Sequence, residues 1–193
     1  MNLQLEINKS LQKDSSPQDV TLSDIVKRPC TYQQYLRFLG EETVSLEPAN
    51  RIALRKLSVG LREMVQKYLS GCYGARYQEG FSKKLNEVIE VNFDGVIDGD
   101  VLVEIVPLPD KTFNTITERR RLAPWVVETV ATKAHLLNKE SALVITMNRN
   151  SLKWSCWNVT ENFEDTAKAV LRKVLYFQKL VEGSAELSGV ESE

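Results

Sequence analysis

Three spacings of apolar residues divide the chain into segments. From Ala53 to Leu69, Leu54, Leu57, Leu61, Met64, Val65 and Tyr68 recur at three- and four-residue steps, with Arg55, Lys56, Arg62, Glu63, Gln66 and Lys67 between them. That period predicts an amphipathic helix. Gly60 inside it costs about 1 kcal/mol against alanine and suggests close approach by another backbone. Ser70 to Gly74 reads as a loop. Asn86 to Phe93 then predicts a strand, and Val101 to Val106 a buried strand. The tight Asp98-Gly99-Asp100 turn makes a hairpin leading into the latter. Pro107 and Pro109 end this meander, because proline has no amide hydrogen for a ladder. Asp110 to Leu122 is polar and reads as a loop.

Downstream, Pro124 suits a first helical turn, and Trp125 to Leu137 is apolar enough for a well-buried helix. Ala142 to Met147 predicts a buried strand. Leu152 to Asn158 alternates, with Leu152, Trp154 and Cys156 set against Lys153, Ser155 and Trp157, as in a half-buried strand. A last helix runs to about Val181 on a stripe of Phe163, Ala167, Val170, Leu171, Val174 and Phe177. Upstream, Ile25 and Val26 begin a short helix that Pro29 interrupts. Tyr32, Tyr35, Leu36 and Leu39 share one face of a further helix, closed by Gly40. This order predicts an α/β fold in one domain, a mixed central sheet flanked by helices. The expected boundaries are a flexible arm over 1–20, the folded domain over 21–182 and a disordered tail over 183–193.

Composition narrows the classes. The 193 residues hold 25 basic and 26 acidic side chains, a formal charge of −1. No global basic field exists, so any DNA contact must use local patches. Cys30, Cys72 and Cys156 are far apart and lack the spacing of a zinc site, which predicts reduced thiols in a cytoplasmic compartment. No apolar run reaches membrane-spanning length, and Met1-Asn-Leu-Gln-Leu-Glu lacks the order of a targeting segment. His135, the single histidine, reads as a packing or dipole partner near a helix C-terminus.

Candidate chemistry centres on Asn92 to Val106. Asp98 ends one strand and Glu104 lies in the next, so the hairpin is expected to bring two carboxylates together as an oxygen site for Mg2+ or Mn2+. The plain alternative is a surface hairpin whose acids face solvent. Arg55 and Arg62 on the long helix and Arg119, Arg120 and Arg121 downstream are candidate phosphate contacts, or simply solvated charges.

The ordered series of segments resembles the PD-(D/E)XK nuclease superfamily, and within it the RecB-like exonucleases of CRISPR-associated systems, over roughly 22–180. Thr21 to Tyr35 is similar to the family's opening helix and cysteine segment. Gly95-Val-Ile-Asp98 resembles its metal-binding Asp motif, and Val103-Glu104-Ile105-Val106 its (D/E)xK strand. Trp125 to Leu137 looks like its glutamine-motif helix, with Glu128 and Thr132 at the motif positions. The resemblance implies a metal at Asp98 and Glu104 and DNA as partner. It also places the catalytic lysine at Val106, which carries no charge, and an upstream histidine near Arg62. An iron–sulfur cluster is not expected, since only Cys30 has a counterpart and such clusters need several thiolates.

Three readings follow. The first is a DNA-processing nuclease fold with cleavage weakened or lost. The second is an active magnesium-dependent deoxyribonuclease in which Lys111, Arg119 or Lys133 replaces the lysine. The third is a non-catalytic interaction or inhibitor subunit, with a protein partner in a nucleic-acid-processing complex, because fold alone does not fix function.

Overall fold

The computed structural model describes residues 22–27, 49–86, 89–160 and 163–183. The expected arm, the Cys30 to Leu39 helix and the tail beyond Gly183 lie outside these residues. The elements are α1 (Leu22–Lys27), α2 (Ala49–Tyr73), β1 (Tyr77–Lys84), β2 (Glu90–Ile97), β3 (Val101–Leu108), α3 (Asp110–Arg119), α4 (Pro124–Leu136), β4 (Ser141–Asn148), β5 (Trp154–Val159) and α5 (Phe163–Val181). A 3-10 turn over Gly74–Arg76 joins α2 to β1.

Among the described residues the sheet has five strands in the order β1-β2-β3-β4-β5. Neighbours are antiparallel except β3 and β4, which run parallel. The crossover between that parallel pair carries α3 and α4. This is the mixed α/β sheet that the sequence predicts.

Side chains alternate across β3 and so supply two cores. Leu102, Val106 and Leu108 join residues of α1, α3, α4 and α5 in the larger core. Val103 and Ile105 join Leu61, Val65 and Leu69 of α2 in the smaller one. Among the described residues one helix thus covers the second face, and the core beneath it does not extend to the edge strand β5. Trp154, Cys156 and Asn158 are exposed there, while Val159 is buried on the opposite face.

Two local expectations need correction. The predicted loop at Ser70–Gly74 is helical through Tyr73, because Leu69 and Tyr73 still pack on the smaller core. The predicted loop at Asp110–Leu122 holds α3, whose Phe113 and Ile116 bury a short apolar face four-residue periodicity could not reveal amid polar neighbours. In β5 the expected alternation is present, with Trp154 and Cys156 facing outward and Ser155 and Trp157 half-buried.

Candidate active site

The site forms where β2 leaves β3. Their pairing runs from Ile97–Val101 to Gly95–Val103 and goes no further. One step on, both backbone groups of Ile105 are taken by side chains. The Asp94 carboxylate accepts from Ile105 N at 2.7 Å. Arg62 of α2 donates from Nε to Ile105 O at 3.1 Å. Arg62 Nε also stands 3.8 Å from Asp94 Oδ1. Two donors fix the Asp94 carbonyl: Gln66 at 2.9 Å and the Tyr77 hydroxyl at 2.6 Å. Burial pushes the Tyr77 phenol up to about 12, so it remains a donor. Gly95 is required beside it, since a Cβ there would lie 2.4 Å from the Tyr77 ring.

Glu104 points from β3 to the α4 face, on the same side as Leu102 and Val106. Lys133 of α4 donates to its Oε2 at 2.6 Å, with side-chain exposures of only 8% and 5% for the lysine and the acid. Desolvation raises the Glu104 carboxyl above its ordinary value, and the negative Asp94 adds to this. Lys133 and Arg62 pull the other way. A small cleft opens over this pair, lined among others by Lys27, Arg62, Val106, Trp125 and Thr129. Lys27 lies 4.3 Å from the centre of the Trp125 ring.

The expected pairing of Asp98 with Glu104 does not form. Asp98 sits in the hairpin loop with φ 53°, and Asp100 N closes the turn on Ile97 O. Glu104 lies three residues past Val101, about 10 Å along the strand at roughly 3.3 Å per residue. Asp98 instead makes two 2.6 Å bonds to the Arg76 guanidinium, which hold its carboxyl below the ordinary value. Asp94, not Asp98, is the acid whose charge acts on Glu104.

The other expected residues divide similarly. Arg62 and Lys133 enter the site. Lys111 is exposed on α3, does not line the cleft, and cannot act there. Arg119 ends α3, Arg120 caps it with φ 49°, and these two and Arg121 are exposed away from the cleft lining. The Arg55 side chain lies outside the described residues. On α4, Trp125, Val126 and Thr129 line the cleft and Lys133 bonds Glu104, whereas the expected Glu128 and Thr132 do not line it. Thr132 is buried and bonds back to Glu128 O at 2.8 Å.

Two carboxylates and a carbonyl are the hard oxygen donors that magnesium takes. In this arrangement, however, Arg62 holds the carbonyl and flanks Asp94, while Lys133 holds Glu104. Each acid has a cationic neighbour, Lys133 at 2.6 Å from Glu104 and Arg62 at 3.8 Å from Asp94, so the donor set does not fit a strongly held divalent ion. Among the described residues no group of three or more His, Cys, Asp or Glu side chains gathers. No helix among them is long and apolar enough to cross a membrane.

No protein-family model matches the sequence, and no curated protein matches it. Solved structures do. SSO0001 is similar with a TM-score of 0.56 at 13% identity, over 93% of this chain and 86% of that one. The alkaline exonuclease LHK-Exo from Laribacter hongkongensis gives 0.55 at 12% identity, over 95% of this chain and 100% of that one. The same enzyme in complex with dAMP gives 0.54 at 13% identity over the same shares. At such identities the likeness is one of architecture: this chain has an α/β fold similar to that of an alkaline exonuclease.

Proposed function

We propose that this chain is a DNA-binding protein of the PD-(D/E)XK nuclease type, nearest its RecB-like branch by order of elements, with phosphodiester hydrolysis weakened or lost. The observation that carries the reading is the internal neutralisation of the site. Val106 stands where the resemblance puts a lysine, and both acids are occupied by Arg62 and Lys133. Losing a preorganised charge at a phosphoryl-transfer centre costs about 10²–10³ in rate. Arg62 and Lys27 at the cleft supply positive charge for a phosphate, and phosphate contacts dominate affinity for nucleic acid. The exonuclease of similar fold binds dAMP, which supports a nucleotide as the ligand type.

One observation favours the active alternative. Lys133 reaches Glu104 from α4, so a lysine absent from the strand is present beside the acid. That reading requires Arg62, whose side chain is 40% exposed, to swing away and admit magnesium or manganese.

A plasmid nicking and degradation assay with each metal separates the two. The expected result is salt-sensitive DNA binding with at most trace cleavage. Robust cleavage that Glu104→Ala abolishes would overturn the proposal in favour of the active enzyme. A thermal-shift series adds a second check. Millimolar magnesium is expected to leave the wild type unchanged and to raise the melting temperature of Arg62→Ala, because only the variant has an uncompensated Asp94.

A further inference from the structure

The ends of β3, β4 and β5 lie side by side next to the cleft. Pro107 pairs with Met147, and Met147 with Trp154, so these residues form one row on the α2 face of the sheet. Pro107 lines the cleft. Two strand spacings of about 4.8 Å put Trp154 about 10 Å from it. The indole is 47% exposed, and the Tyr68 ring, 57% exposed, meets its edge with centroids 5.5 Å apart. Neither ring belongs to a core, and together they present aromatic faces to solvent beside the cleft.

Arg149 stands at the end of this row. Its amide donates to Leu108 O at 2.9 Å, and the neighbouring Asn148 N donates to Lys153 O at 2.8 Å, so it lies where the three strands meet their loops. Among the described residues its guanidinium makes no hydrogen bond or ion pair, although its Nε is buried. A buried donor without an acceptor is costly and calls for a partner. Asp110, the acid at this end of the sheet, is taken by Asn150 and Asn148 instead. The turn that carries Arg149 is fixed. The Asn148 side chain accepts from Asn150 N and Ser151 N, and Leu152 is held at φ 58°, a left-handed value rarely adopted by a bulky residue. Lys153 beside Trp154 is exposed.

An open aromatic face, an unpaired guanidinium and an exposed lysine are the groups that hold a single nucleic-acid strand, with bases stacked on the rings and phosphates on the cations. We propose that Trp154, Tyr68 and Arg149 form a track for single-stranded DNA leading away from the Glu104 cleft. One base stacks on the Trp154 indole. A small rotation of Arg149 lets Nε and a terminal nitrogen grip the adjacent phosphate together. The track rests on the DNA-binding reading of the cleft, and adds that the strand leaves it across the ends of β3, β4 and β5. A duplex hides its base faces, so the track selects single strands. Its continuity with the cleft through Pro107 favours DNA over a protein segment as the occupant.

The test uses the full chain, a fluorescein-labelled oligothymidylate of about twelve nucleotides and the same strand in a duplex with oligodeoxyadenylate, in EDTA so that neither is cut. Anisotropy is expected to show saturable, salt-sensitive binding of the single strand. Trp154→Ala should weaken it about tenfold, and Trp154→Phe, which keeps a ring, should recover most of the loss. Arg149→Gln should weaken it too, and should lower the slope of log affinity against log salt by about one. Duplex affinity should change by less than about twofold in each variant. Tyr68→Ala replaces Trp154→Ala if the latter lowers the melting temperature. Single-strand binding indifferent to these substitutions overturns the track and leaves the DNA-binding reading standing, whereas binding of neither strand form overturns both. The track is also overturned by equal losses for duplex and single strand, by a polyglutamate peptide that binds as tightly as the oligonucleotide, or by a dimer in sedimentation that Trp154→Ala disperses.

Discussion

Asp94 was legible in the sequence through hairpin arithmetic. The register Gly95–Val103 centres the turn on Gly99, so Glu104, five residues after it, lies across from Asp94, five before. Asp98 attracts attention because it stands next to the turn, but loop residues do not pair across a ladder. The Glu104–Lys133 contact is a buried ion pair, and such pairs are costly to break singly and cheap to replace whole. Lys133→Met is expected to lower stability by about 3–5 kcal/mol, because it strands a buried carboxylate. The double variant Glu104→Leu/Lys133→Met should recover most of that loss in urea unfolding. The pair also sets a pH dependence. A carboxyl raised by burial contributes its stability fully below its ordinary value of 4.5, and loses it as pH rises through the folded value. Relative to Glu104→Gln, wild-type stability is therefore expected to fall as pH climbs above 4.5. Parallel profiles for the two proteins would contradict this assignment.

The elements explain why two glycines with similar sequence signals behave differently. Gly60 lies in α2, and a Cβ there would meet nothing within 4 Å, so no second backbone approaches it as the sequence suggested. Gly60→Ala is expected to stabilise the protein by about 0.4–1 kcal/mol through the helix and the unfolded chain. Gly95 lies where β2 departs from β3, against the Tyr77 ring. Gly95→Ala should cost about 1–3 kcal/mol by overpacking, and should also loosen the bend that presents Asp94. Chemical denaturation of the two variants tests the contrast, and equal effects would contradict it. The long helix α2, the strands β2 to β4 and the stripe of α5 were legible because each repeats its period many times. Helix α3 was not, since only Phe113 and Ile116 of its ten residues are buried.

Across the whole molecule, two unequal cores share one sheet. Ile105 and Val106 are adjacent in β3 yet belong to opposite cores. A substitution in either core must therefore disturb the strand that both use. Val130→Ala in the larger core and Val103→Ala in the smaller one are each expected to cost about 1–3 kcal/mol. Each should leave a single unfolding transition, coincident by circular dichroism and tryptophan fluorescence. Separate transitions would show the α2 layer unfolding by itself. The same layering accounts for the bare face of β5, because one helix cannot span all five strands. The exposure of Trp154 follows from this coverage rather than from its hydrophobicity.

The sequence by itself determined the α/β class, most of the element types and the acid on β3, because periodicity and turn chemistry are local; β1 and α3 were not read from it. The family resemblance, not the periodicity, is what put an expected lysine at Val106. Tertiary structure alone decided which charges meet. Lys133 reaches Glu104 only because α4 crosses over β3, and Arg62 reaches Asp94 only because β2 bends away there. Ion pairing depends on distances between segments far apart in the chain, and no spacing read along one segment encodes those distances.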